Sequence, residues 1–119
     1  MAMKNSQIYV LAERLNTLNL SEICFPIHIY FYLQKNIQII KAAYEEIEQA
    51  RLYIGERFGT FNGTGYDILP ESIAIAQSEL NELFNLEQDL NIHMFNLSDF
   101  NGIELTPDLL STFMFMIEK

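Results

Sequence analysis

No lysine or arginine occurs between Phe58 and Glu118. The same stretch holds ten acidic residues: Asp67, Glu71, Glu79, Glu82, Glu87, Asp89, Asp99, Glu104, Asp108 and Glu118. Before Phe58 six acids are matched by six bases, so the net charge of −9 is concentrated in the later half. Direct nucleic-acid binding is opposed there, because phosphate contacts need cations. A partner protein with a basic surface is attracted.

Other absences narrow the reading further. Cys24 is the one cysteine, which rules out an intramolecular disulfide. Long apolar runs are missing too. The most apolar stretch, Ile23 to Leu33, contains His28 and runs into Gln34, Lys35 and Asn36. It falls short of the roughly 20 apolar residues that cross a bilayer, so no membrane association is expected. Met1 to Ser6 lack the apolar run of a secretory signal. Tryptophan is absent, but nine Phe and six Tyr supply bulk for a core. The 119 residues have room for one domain, residues 1–119, with one hydrophobic core.

The apolar periodicity is helical. Ser6 or Asn5 is a candidate cap for a first helix with Ile8, Leu11, Leu15 and Leu18 on one face, ended by Asn19-Leu20-Ser21. Pro26 suits the first turn of a second helix. Its series Tyr30, Leu33, Ile37, Ile40, Tyr44, Ile47, Arg51, Ile54, Phe58 steps by three and four without a slip. A helix over residues 26–58 is about 50 Å long. It needs a long partner helix, from this chain or from a second copy, which makes a homo-oligomer through residues 26–58 an expectation. The segment Gly59 to Gly65, with three glycines, reads as the turn between helices. Pro70-Glu71 opens a third helix with Ile73, Ala76, Leu80 and Leu83 on its stripe, broadened by Phe84 and Leu86, folding back on the second. Leu90, Ile92 and Met94 alternate with polar residues as in a short strand, and Ile103-Glu104-Leu105 is a candidate second strand closing a small hairpin. Thr106-Pro107-Asp108 starts a last helix, with Leu109, Leu110, Phe113 and Ile117 inward. The expected fold is mainly α with minor β: a long helical hairpin, a short N-terminal helix, a small β-hairpin and a C-terminal helix.

The residues that carry chemistry do not assemble into a reaction centre. The Gly59–Gly65 loop follows a helix and no lysine comes after it, unlike a phosphate loop. His28 and His93 lie far apart without metal-ligand spacing, so no metal is expected. Cys24 has no basic neighbour to activate it and reads as a small core residue. Ser21 and Ser72 lie in no nucleophile elbow. Glu45, Glu46 and Glu48 read as a solvated helix face, with Glu48 and Arg51 spaced to pair. Asp99, Asn101 and Glu104 are too few for a calcium loop. No catalytic residue and no cofactor is expected, and the chain reads as a non-enzyme.

Several stretches together resemble a family. They are Leu11 to Leu18; Phe25-Pro26 leading into Tyr32-Leu33-Gln34-Lys35-Asn36; Glu45 to Arg51 with Gly59; Glu79-Leu80-Asn81-Glu82-Leu83; Leu97-Ser98-Asp99; and Leu105-Thr106-Pro107. Their order is similar to a family of small proteins of unknown function encoded by phages and prophages of Gram-positive bacteria. The resemblance implies a phage origin and a place of action in the cytoplasm of the bacterial host. It brings no activity and no functional residues. Phage proteins of this size often serve in particle assembly or in blocking host defences. Combined with the charge asymmetry, it suggests a host-defence inhibitor, anti-CRISPR-like, that mimics nucleic acid with carboxylates. The alternative is a structural or tail-assembly accessory that forms homo-oligomers. The acidic face expected to bind protein is Glu71, Glu79, Glu82, Glu87 and Asp89.

Overall fold

A computed structural model describes residues 1–18, 20 and 23–118. Among them, four helices and three two-stranded ribbons follow one another. These are β1 (Ala2–Lys4), α1 (Asn5–Thr17), α2 (Ile27–Phe58), β2 (Gly59–Phe61), β3 (Tyr66–Ile68), α3 (Ile73–Asn85), β4 (Glu87–Asp89), β5 (Phe95–Asn96), α4 (Pro107–Phe113) and β6 (Ile117–Glu118). Short 3-10 turns precede α3, follow β5 and follow α4. The architecture is mainly α with minor β, as the periodicity predicts. No helix among the described residues is long and apolar enough to cross a membrane.

The axis of the molecule is α2. Its 32 residues span about 48 Å, which accounts for most of the 57 Å long dimension. Its buried side is Ile29, Leu33, Asn36, Ile37, Ile40, Ala43, Ile47 and Ile54. Relative to the expected seam the buried strip is turned slightly, so Tyr30 and Arg51 face water while Ile29 and Ala43 go inside. No single long helix covers this strip. Helices α1 and α3 divide it and also touch each other, and the hairpin β2–β3 folds against its C-terminal end. Each fully buried Leu or Ile on the strip contributes about 1.5–3 kcal/mol by leaving water.

Helix α1 buries Ile8, Leu11, Ala12 and Leu15, the three- and four-residue steps read from the sequence. It ends at Thr17; Asn19 and Ser21, expected to end it, lie outside the described residues. Its start differs from expectation. Asn5 is the first helical residue and is buried, not a cap. Its Nδ2 donates to Leu83 O at 2.8 Å and its Oδ1 accepts from Gln88 Nε2 at 2.9 Å, so it joins α1 to the end of α3 and to β4. The capping acceptor is Gln7, whose Oε1 takes Lys4 N at 2.9 Å.

The β structure lies elsewhere than the alternation suggests. The hairpin forms at the glycine-rich segment, where β2 pairs antiparallel with β3. Asn62 Oδ1 accepts from Thr64 N and Gly65 N across the tip, and Gly63 has φ of 99°. At Gly59 a Cβ would stand 2.6 Å from Asp67 O, so only glycine lets the strands close. Residues 90–94 do alternate, Leu90 and Ile92 inside and Asn91 and His93 outside, yet they form no strand. Asn36 is the reason. Wholly buried in α2, it donates from Nδ2 to His93 O and accepts at Oδ1 from His93 N, occupying the groups a neighbouring strand would use. Residues 103–105 pair with no strand either; β5 pairs in parallel with β6 instead. The last helix starts as expected, with Thr106 Oγ1 accepting from Leu109 N at 3.2 Å. The strand β4 pairs antiparallel with β1, with Lys4 opposite Glu87.

Candidate protein-binding surface

The five expected carboxylates fall on two consecutive elements. Glu71 lies in the 3-10 turn Pro70–Ser72, Glu79 and Glu82 lie on α3, and Glu87 and Asp89 lie on β4. Helix α3 turns only one residue, Ala76, fully inward, while Leu80, Leu83 and Phe84 are half-buried. At 3.6 residues per turn, Ile75, Glu79 and Glu82 share one flank of α3 beside that buried stripe, with Glu71 in the turn before the helix and Leu86 just past its end. Ile75 is 56% exposed and Leu86 54% exposed, so the ridge mixes carboxylates with apolar side chains. On β4, Glu87 and Asp89 point away from the interior while Gln88 between them bonds inward to Asn5.

Neutralisation along this surface is uneven. Arg57 Nη1 lies 3.7 Å from Glu79 Oε1, and its guanidinium also covers the rings of Tyr53 and Phe58. The Met1 ammonium lies 2.9 Å from Asp89 Oδ1. Glu71, Glu82 and Glu87 have no ion-pair partner within 4.0 Å among the described residues. The structure therefore groups Glu82 with Glu79 on one flank of α3, with Glu71 in the turn before it, and places Asp89 and Glu87 beside the positive start of the chain. Sequence reasoning missed Ile75, which falls outside the stripe that the periodicity marks; Ile73 and Leu86, expected on that stripe, are exposed because they stand at the first residue of α3 and just past its last. It also missed Arg57, the base that reaches the later half.

A second charged cluster sits where the three longer helices meet. Arg51 donates from Nε and Nη2 to the two oxygens of Glu48, both at 3.1 Å, as the three-residue spacing predicts. This fork holds the Glu48 carboxyl below its ordinary value, against the opposing effect of partial burial. Burial and the neighbouring carboxylate of Glu48 push the Tyr9 phenol far up, so it stays neutral. The Tyr9 ring packs against Tyr44 at 4.9 Å and edge-on to Phe84 at 5.5 Å. Through these ring contacts Tyr9 packs α1 against both α2 and α3.

The remaining reactive groups do not converge. His28 is exposed near the start of α2. His93 stacks on Tyr32 with ring centroids 3.9 Å apart. Cys24, expected in the core, is exposed; Ile23 and Phe25 on either side turn inward and leave it facing water. No group of three or more potential metal ligands occurs among the described residues. The concavities are open grooves; one runs between α1 and α2 and is lined by Glu13, Asn16, Lys41 and Glu45.

Compared with protein-family models, curated proteins and solved structures, the chain finds no match.

Proposed function

We propose that this chain is a non-enzymatic interaction protein whose α3 ridge docks on a basic protein surface. The observation that carries the reading is the ridge itself: Glu79 and Glu82 on one flank of α3 with exposed Ile75, and exposed Glu71 and Leu86 at the two ends of the helix. Carboxylates steer and orient a cationic partner, while buried apolar side chains supply affinity. The mixture suits a protein partner, since the sugar–phosphate backbone offers no apolar pocket for Ile75. In the phage setting that the sequence resemblance suggests, the partner is a basic host-defence protein in the bacterial cytoplasm, whose nucleic-acid groove the carboxylates occupy.

Glu71→Lys/Glu82→Lys tests this, because both residues are exposed and the Glu79–Arg57 pair is left intact. Wild-type and variant chains are used to capture proteins from a Gram-positive host lysate at low and at high salt. A basic protein retained by the wild type at low salt, and released by salt or by the variant, is the expected outcome. Equal capture by both chains at both salts removes the proposal.

One observation favours the second reading, an assembly accessory. The side of α2 that faces away from the core is exposed along its whole length.

A further inference from the structure

We infer that the outward side of α2 is a self-complementary surface that pairs antiparallel with a second copy of this chain, about a two-fold axis opposite Ile40. The inference rests on that side of α2 alone and holds whichever role, inhibitor or assembly accessory, the chain performs.

The ridge is unusual for a helix that faces solvent. Ile27 is 80% exposed and Phe31 59%, and near the other end Leu52 is 41% and Tyr53 58% exposed. Ile27, Tyr30, Phe31, Gln34, Lys35 and Gln38 line a shallow apolar depression at the first end. Between the apolar ends lie Lys35 on one side of the midpoint and Lys41, Glu45 and Glu46 on the other, all exposed and none paired within 4.0 Å among the described residues. The small exposed residue Ala42 sits close to the middle.

This layout decides orientation. A parallel pair would set Lys35 beside Lys35 and Glu46 beside Glu46, like against like. Reversing one copy about Ile40 brings each residue within one position of the one as far beyond the midpoint. Ile27 then meets Leu52, Phe31 meets Gln49, Lys35 meets Glu46 and Gln38 meets Ala42. The two-fold axis produces every pairing twice, as an isologous interface requires. Facing flanks of antiparallel helices carry the same side of each helix, and Lys35 and Glu46 do lie on one flank at 3.6 residues per turn, as Ile27 and Leu52 do on the other. Ile27 and Leu52 thus cover each other at both ends, opposite charges meet within, and Ala42 lets the backbones approach near the crossing.

A ridge about 39 Å long, from Ile27 to Tyr53, and one helix wide buries on the order of 1,000 Å² in total, the lower end of specific interfaces.

Sedimentation equilibrium over a wide concentration range, with reductant present to keep Cys24 from cross-linking, tests the inference. The wild type is expected to shift from monomer to dimer and to go no further. Ala42→Arg places a large charge at the crossing of a solvent-facing helix position and is expected to raise the dissociation constant at least tenfold with an unchanged circular dichroism spectrum. Lys35→Glu and Glu46→Lys are each expected to weaken the dimer, and the double variant to restore it toward the wild-type value. A wild type that stays monomeric throughout, a dimer indifferent to Ala42→Arg, or a double variant no better than the worse single one overturns the inference.

Discussion

The side chain of Asn36 stands in for a β-strand opposite His93: its Nδ2 donates to His93 O at 2.9 Å and its Oδ1 accepts from His93 N at 2.8 Å. A helix thereby offers the peptide-like pair of groups that an extended segment needs, and Leu90 and Ile92 are held in the core without a sheet. The same Nδ2 lies 3.2 Å from Met116 Sδ. Replacing Asn36 by Leu, similar in size, leaves His93 N and O without partners. The expected loss is about 2–4 kcal/mol, read from the midpoint of urea unfolding. Unchanged stability would show that these two bonds contribute nothing.

Glu48 makes stability depend on pH. Its folded-state carboxyl is held below its unfolded value by Arg51, so the pair stabilises the fold above the unfolded value. That contribution is lost as pH falls through the folded value. Glu48→Gln is expected to cost about 0.5–1 kcal/mol at neutral pH, because Arg51 is largely exposed and water screens the pair. In acid, below the range where the wild-type carboxyl ionises, the two chains should converge. Thermal melts of both across the pH range provide the measurement.

Two glycines of the hairpin should respond in opposite ways. At Gly59 a Cβ meets the backbone of Asp67, which cannot move without breaking the ribbon, whereas at Gly65 nothing lies within 4 Å. Gly59→Ala is expected to destabilise by about 1–3 kcal/mol. Gly65→Ala should fall within about 0.5 kcal/mol of the wild type. Parallel denaturant titrations decide it, and equal effects would mean that the strand contact at Gly59 is not tight.

Cys24 is exposed, so its thiol should be open to a water-soluble maleimide in the native protein without denaturant. Intact mass before and after labelling shows whether one adduct forms on the folded chain. Labelling that appears only after unfolding would place the thiol inside.

Much of the helical frame was legible because three- and four-residue steps have one physical meaning: a side of a helix kept from water. The bounds of α2 and the Thr106-Pro107 start of α4 follow from such local rules. The strands were not legible in the same way. Alternation in residues 90–94 records which side chains go inside, but not what satisfies the backbone between them. A polar residue on the helix that packs there, Asn36, decides that, and nothing in the local pattern of residues 90–94 names it. The acidic ridge was half legible. Charge content is read directly from the sequence, but the reach of Arg57 to Glu79 and the exposure of Ile75 depend on how α3 lies on α2.

The stretch from Glu87 to Asn96 is gripped from both sides: β1 lies along its first part and β6 along its last. A ribosome delivers Ala2–Lys4 some eighty residues ahead of its mate, and Ile117–Glu118 some twenty behind theirs. The nascent helices must therefore wait, with Asn36 and its surroundings still wet, until residues around Met116 emerge. Closing such distant loops is slow, so the pairing of β1 with β4 and of β5 with β6 should be the late step in an otherwise helical chain.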